Sequence, residues 1–167
     1  MSSIRPSLSA PLPTASDIMT RTLVALTPEM PILDAVRVLL KYQISGAPVI
    51  DEEGRLAGIC SEFDCLRVMS SGVFYSDDHG GEGIVAHSMR TDYQAVESHH
   101  DIYALSQLFL DHRVQRLPVV EDGRLVGQIS RRDVLRAMVE VDESRVRRRH
   151  FPDYREPAED VGARRAR

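Results

Sequence analysis

Apolar and polar residues alternate along this chain with a period that changes several times, and each change marks an element. Ile32, Leu33, Ala35, Val36, Leu39 and Leu40 recur at helical spacing, which predicts an amphipathic helix over Pro31 to Tyr42. Pro31 suits its first turn, where no intrahelical N–H is needed. Gly46 to Ile50 then predicts a strand, Asp51-Glu52-Glu53-Gly54 a hairpin turn, and Leu56 to Cys60 the partner strand. Ser61 opens a helix that runs to about Met69. Upstream, Thr14 and Asp17 have the Thr-x-x-Asp spacing of a helix start, predicting a short helix to about Thr20. Leu23 to Leu26 predicts a short strand, ended by Thr27-Pro28.

The same order then returns. It predicts a helix to Met89, strand Gln94–Glu97, helix Asp101–Asp111, strand Leu117–Glu121, a turn at Asp122-Gly123, strand Leu125–Ile129 and helix Arg131–Val141. Pro48 to Pro118 and Met19 to Met89 are shifts of 70; Gly54 to Gly123 and Asp64 to Asp133 are shifts of 69. Glu53 is the extra residue in the first turn. A repeat of this kind fixes the architecture. Two units of roughly 55 residues each would be marginal alone. They are expected to build one shared core, with equivalent surfaces facing across a pseudo-two-fold. The reading divides the chain into a flexible leader (1–13), a first unit (14–70), a Gly-rich linker (71–83), a second unit (84–141) and a charged tail (142–167).

Composition narrows the picture. Aromatic residues make up 5% and Trp is absent, so the core must be aliphatic. The net charge of −4 gives no global pull toward nucleic acid. No apolar run approaches the ~20 residues of a membrane span. The first 14 residues lack an apolar stretch of the secretory kind, so a cytoplasmic location is expected. Cys60 and Cys65 read as buried thiols in a reducing compartment, because no second Cys pair or nearby His completes a metal site.

His99-His100-Asp101 resembles a zinc fragment but lacks an i, i+4 partner and reads as a loop entering a helix; His112-Arg113 reads as cations at a helix end, or else as an indirect contact to a phosphate; Asp77-Asp78-His79 reads as a polar loop. The tail carries Arg145, Arg147, Arg148, Arg149, Arg164, Arg165 and Arg167. It reads as disorder or a loose extra helix, or else as a docking segment for an acidic partner. Specific nucleic-acid binding is not expected, since only Phe151 and Tyr154 could stack there.

The candidate chemistry lies where each unit ends a strand with Ser and places Asp three residues on: Ser61…Asp64 and Ser130…Asp133. One reading is a helix cap, the Ser oxygen accepting a backbone N–H and the Asp lying near the positive end of the dipole. The other reading uses the same groups on a ligand. A helix N-terminus attracts phosphate, a Ser hydroxyl donates to it, and a carboxylate one turn on accepts from ribose hydroxyls. Ser130 as a nucleophile lacks a His close in sequence, so no catalytic residue and no enzyme activity are expected.

Each unit carries Pro-Val-(Val/Ile)-(Asp/Glu), then Gly-Arg-Leu-x-Gly, then Ser-x-x-Asp. From Ala15 to Met138 this resembles the CBS domain family, in tandem, as in a stand-alone CBS pair or Bateman module. The resemblance implies an α/β fold of two pseudo-two-fold-related β-α-β-β-α repeats packed sheet to sheet, with two clefts between them. It implies an adenosine-containing ligand (AMP, ADP or ATP, with S-adenosylmethionine, NAD or cyclic dinucleotides as further members of the class). It also implies a homodimer and a protein partner that reads the bound state, and requires neither metal nor cofactor.

Carried over residue by residue, it implies that cleft one joins Ser130, Asp133 and the basic Arg116 to Met19, Val24, Ile44, Ser45 and Gly46, with Arg131 and Arg132 adding positive potential. Gln115 stands where the family has a His. Cleft two joins Ser61 and Asp64 to Met89, Gln94 and Val114, with Gly46 at the basic position and Glu62 opposing phosphate. Cleft one is therefore expected to bind more tightly. The alternative is a constitutive dimerisation scaffold with vestigial clefts.

Overall fold

The repeated pattern becomes a repeated order of elements in the computed structural model, which describes residues 11–71 and 83–149 (for 147–149, the backbone). The first repeat holds α1 (Ala15–Ile18), α2 (Ile32–Tyr42), β1 (Gly46–Ile50), β2 (Leu56–Ser61) and α3 (Glu62–Ser70). The second holds α4 (Val85–Ser88), β3 (Val96–Glu97), α5 (Ile102–His112), β4 (Arg116–Glu121), β5 (Arg124–Ser130) and α6 (Arg131–Arg149). Helix α6 thus continues past Val141, where the sequence pattern placed its end. Residues 1–10, the Asp77-Asp78-His79 stretch, Phe151, Tyr154 and the last three arginines lie outside the described residues.

Each repeat is built on an antiparallel hairpin, β1 with β2 and β4 with β5. The second turn is the two-residue Asp122-Gly123, both at positive φ (50° and 78°), which matches the twist of the flanking strands. The first turn absorbs Glu53 differently. Its Asp51 carboxylate accepts from the N–H groups of Glu53 (3.0 Å) and Arg55 (2.8 Å), with Gly54 at φ 77°.

The first strand of each repeat is shorter than the pattern suggests. Leu23–Leu26 contributes one parallel bridge, Leu26 to Val49, and Gln94–Glu97 contracts to Val96–Glu97 beside β4. The reason lies just upstream. Thr20 exchanges two backbone hydrogen bonds with Gln128 (2.9 and 3.0 Å), and Arg90 does the same with Ile59 (2.8 and 3.0 Å). These segments spend part of their backbone pairing on the opposite repeat.

The expected single shared core is instead two clusters, each completed by its neighbour. Val85 of α4 is buried with Leu26, Ile32, Leu39 and Val49 of the first repeat. Ala15 of α1 is buried with Ile102, Leu105, Leu117 and Ile129 of the second. A four-residue helix cannot stand alone, so each docks where the other repeat supplies a wall. The Ala15 N–H donates to the His100 carbonyl (2.7 Å), and reciprocally the Val85 N–H donates to the Met30 carbonyl (2.9 Å).

This exchange explains the second glycine of each Gly-Arg-Leu-x-Gly. Met89, just after α4, lies on Gly58, and Met19, just after α1, lies on Gly127; a β-carbon at either glycine would collide with the methionine. The hairpin turns meet along the seam, where the Leu56 N–H donates to Gly123 O (3.0 Å) and the Leu125 N–H to Gly54 O (3.1 Å).

Cys60 and Cys65 are both buried free thiols with sulfurs 3.8 Å apart. Burial, with the neighbouring Cys65 and Asp64, pushes the Cys60 thiol up to about 12, so it stays protonated at neutral pH.

Candidate functional site

The strand register sets the site. In β4–β5, Arg116 pairs with Ser130; in β1–β2, Gly46 pairs with Ser61. The residue two before each Pro therefore stands beside the Ser that opens the next helix. Across the pseudo-two-fold, both positions face two clefts, and Gly46, Arg116 and Gln128 line both of them.

Cleft one has a volume of about 290 Å³. Ser130 and Asp133 form its helix-start wall. The Asp133 Oδ2 accepts from the Ser130 N–H (2.8 Å) and hydroxyl (2.6 Å), while the Asp133 N–H donates to the Ser130 Oγ (3.3 Å). The cap reading of this motif is thus realised. Yet the box occupies one carboxylate oxygen. Oδ1 faces the Arg136 guanidinium at 3.6 Å, beyond hydrogen-bond reach, and the Asp133 side chain keeps 19% of its surface accessible. Val24 and Ile44 supply the apolar wall from the first repeat, with Leu23 beside them.

Of the residues the sequence assigned here, Ser130, Asp133, Arg116, Val24, Ile44 and Gly46 come together. Four do not. Met19 lies beneath, on Gly127. Ser45 lines the other cleft, its carbonyl accepting the Glu62 N–H at 3.0 Å. Arg131 and Arg132 are exposed and outside the lining. Thr20, Thr22 and Gln128 were missed. Thr20 and Gln128 arrive through the backbone pairing of one repeat with the other, which leaves no local signature.

Cleft two is wider, about 540 Å³. Ser61, Gln94 and Val114 line it, with Glu62 at its rim. Asp64 does not. It is 2% exposed and bound into its own capping box, Oδ2 accepting from the Ser61 N–H (2.9 Å) and hydroxyl (2.5 Å). The half-exposed Arg90 side chain lies over it, Nε to Oδ2 3.9 Å. Met89 is withdrawn onto Gly58.

The lining adds residues that the sequence reading did not assign to it: Arg90, Asp92, Tyr93, Phe63, His112 and Arg113. A signal for three of them existed. The shift of 70 carries Thr20, Thr22 and Leu23 onto Arg90, Asp92 and Tyr93. Tyr93 is anchored by its hydroxyl, which donates to the Leu56 carbonyl at 2.7 Å.

Among the described residues, no cluster of three or more His, Cys, Asp and Glu could hold a metal ion, and no helix is long and apolar enough to cross a membrane.

Two repeats with exchanged short helices and a Ser-x-x-Asp helix start in each, with two clefts lined by residues of both, define a paired α/β module. Residues 15–71 and 83–140 each match the CBS domain, and the chain belongs to that family. It is 29% identical over 123 residues to inosine-5′-monophosphate dehydrogenase of Methanocaldococcus jannaschii, a match covering 73% of this chain and 23% of that enzyme. The corresponding enzyme of Halalkalibacterium halodurans is 29% identical over 110 residues, covering 65% of this chain and 21% of the enzyme. The chain thus spans less than a quarter of either enzyme.

Among solved structures, the CBS-pair protein CBSX2 of Arabidopsis thaliana superposes with a TM-score of 0.67 at 28% identity, over 80% of this chain and 99% of that one. A CBSX2 complex with AMP gives the same score and identity, over 78% and 98%. A CBS domain pair solved with 5′-methylthioadenosine and S-adenosyl-L-methionine shares the fold at 20% identity, with a TM-score of 0.64 over 78% of this chain and 98% of that one.

Proposed function

We propose that this chain is a cytoplasmic regulatory module that binds an adenosine-containing mononucleotide in cleft one. The observation that carries the reading is the part-exposed Asp133 carboxylate, lining a cavity with an apolar wall from the other repeat, and Arg116 paired to Ser130 in the same lining. The carboxylate would accept from the ribose hydroxyls, Arg116 and the Ser130 hydroxyl would take phosphate, and Val24 and Ile44 would hold the purine. Small-molecule pockets span about 300–1,000 Å³. At about 290 Å³ cleft one suits AMP better than a dinucleotide such as NAD. The AMP complex of a 28% identical CBS pair supports the same class of ligand.

Because each repeat supplies one wall, a bound nucleotide favours the arrangement in which both walls close on it. That differential affinity is what a partner protein would read. Leu40 and Leu110 occupy equivalent positions and are 68% and 71% exposed, as are Leu66 and Leu135 at 64% and 61%. These paired apolar positions support a homodimer through the helical faces, which sedimentation of wild type against Leu110→Asp would test.

Calorimetric titration decides the binding reading. AMP should bind wild type at one strong site. Asp133→Asn should abolish that site while Asp64→Asn leaves it intact; the reverse pattern would move the nucleotide to cleft two. A scaffold role has one observation in its favour, the closed capping boxes that already satisfy both serines. It predicts no thermal shift with any adenine nucleotide, where a ligand at about 100-fold over its Kd should add about 2.7 kcal/mol.

A further inference from the structure

The chain holds two cysteines, and the fold brings both to one place. Cys60 immediately precedes Ser61 at the end of β2, and Cys65 immediately follows Asp64 in α3. The thiols therefore flank the capping box that opens α3. The shift of 69 carries them onto Ile129 and Val134, which fill the corresponding places in the core of the second repeat. An aliphatic pair packs there, so the fold does not require sulfur at either position. A free Cys packs as a small apolar residue, and that role alone gives no reason for two of them to be neighbours. Here the sulfurs lie 3.8 Å apart, and neither is bonded. Cys60 is 0% and Cys65 3% exposed. Burial first, with Asp64 beside it, raises the Cys65 thiol as it does that of Cys60. While the box is closed, both thiols are protonated and out of reach, and a buried protonated thiol is a poor nucleophile.

We infer that Cys60 and Cys65 are a gated redox pair, which a low-molecular-weight disulfide oxidises to a protein disulfide when the first turn of α3 opens. Opening lets Cys65, the less buried of the two, lose its proton to water. Its thiolate attacks one sulfur of the small disulfide, whose S–S bond breaks and releases one thiol. Cys60 then loses its proton and attacks the Cys65 sulfur, which releases the second thiol. Two protein thiols and one small disulfide become one protein disulfide and two small thiols, and the two electrons pass to the small disulfide. Bonding draws the sulfurs from 3.8 Å to about 2 Å. Ser61, Glu62 and Phe63, which line cleft two, lie between the cysteines in sequence and move with the bond. The second repeat, with Ile129 and Val134, has no such response. Oxidation therefore addresses one repeat of the pair, and the inference does not rest on the nucleotide reading of cleft one.

Oxidised glutathione is the probe. Incubated with the folded full chain, it should produce a Cys60–Cys65 disulfide, seen by peptide mass spectrometry as the loss of two hydrogens and reversed by dithiothreitol. Hydrogen exchange on the same sample should quicken about tenfold over Ser61 to Cys65 while Ser130 to Val134, the matching box of the other repeat, stays within about twofold. Cys65→Val is the control, since valine fills the equivalent place as Val134. Treated alike, it should form no internal disulfide and keep its exchange rates. A glutathione adduct that never resolves to the internal bond overturns the pair. So does a bond that forms only in urea, or no reaction at all, for the thiols are then core fillers. A disulfide that leaves exchange over Ser61 to Cys65 unchanged, or quickens both boxes equally, keeps the redox pair and overturns its selective action on the first repeat.

Discussion

Cleft one and cleft two begin from the same local motif and end in different chemistry. Both have a Ser that caps a helix and an Asp that closes the box with Oδ2. In one the Asp keeps an accessible edge; in the other it is 2% exposed. The difference is not in the motif. It lies in what the opposite repeat contributes at equivalent positions: Thr20, which shares a cavity lining with Asp133, against Arg90, whose Nε comes within 3.9 Å of Asp64 Oδ2. In a swapped pair, each half writes the specificity of its twin.

The sharpest way to break this comparison is to exchange those two residues. Thr20→Arg should place a guanidinium over Asp133 and weaken AMP about 100-fold, which is about 2.7 kcal/mol of binding free energy. Arg90→Thr should uncover Asp64 and create a second, weaker AMP site. Calorimetric stoichiometry reads both outcomes. If Thr20→Arg binds AMP as wild type does, control of the carboxylate by the opposite repeat is wrong.

A smaller effect separates the two seams. A β-carbon at Gly58 would lie 2.8 Å from the Arg90 carbonyl oxygen and 2.8 Å from the Met89 sulfur. At Gly127 the three nearest atoms all belong to the flexible side chain of Met19. A backbone carbonyl held by a hydrogen bond cannot yield as a methionine can. Overpacking of this kind costs about 1–3 kcal/mol. Gly58→Ala should fall at the upper end and Gly127→Ala at the lower, measured as urea midpoints at unchanged slope. Equal losses would mean that the two seams are equally compliant.

These contrasts also show what the sequence could disclose. The repeat, the helix α2, both hairpins and the Ser-x-x-Asp boxes follow from period, turn residues and spacing, because each is decided within a few residues. Six of the ten residues read for cleft one line one cavity, among them Arg116 and Ser130, which strand register pairs because the hairpin turn fixes that register. What escaped was everything contributed across the pseudo-two-fold. Thr20 and Gln128 meet through backbone hydrogen bonds that any side chains could make. The retreat of Met19 and Met89 onto Gly127 and Gly58 depends on α1 and α4 docking on the opposite cores. No window of one repeat contains that information. Arg113 points to the same limit: its helix-end position was legible, with a phosphate contact as the alternative, but not which cleft it lines.

The two short helices offer the smallest and most delicate comparison. Helix α1 opens on a capping box, in which Asp17 Oδ2 accepts from the Thr14 N–H at 2.8 Å and hydroxyl at 2.9 Å. Helix α4 starts at Ile84 with no side-chain cap and relies on its backbone bonds to Met30 and Pro28. The Thr14 N–H, then its hydroxyl, hold the Asp17 carboxyl below its ordinary 3.8. A carboxylate depressed by folding contributes stability above its unfolded pKa and loses it as pH falls through the folded one. Asp17→Asn makes α1 more like α4. At neutral pH it should cost about 0.5 kcal/mol, the low end for a cap, because Asp17 is exposed. The gap between variant and wild type should narrow below pH 3.8, as the pH falls toward the lower value at which the folded carboxyl takes up its proton. Urea unfolding of both proteins at pH 7 and pH 3 measures it. A gap of the same size at both would show that the box stabilises α1 through geometry alone, and that charge at this helix start contributes nothing.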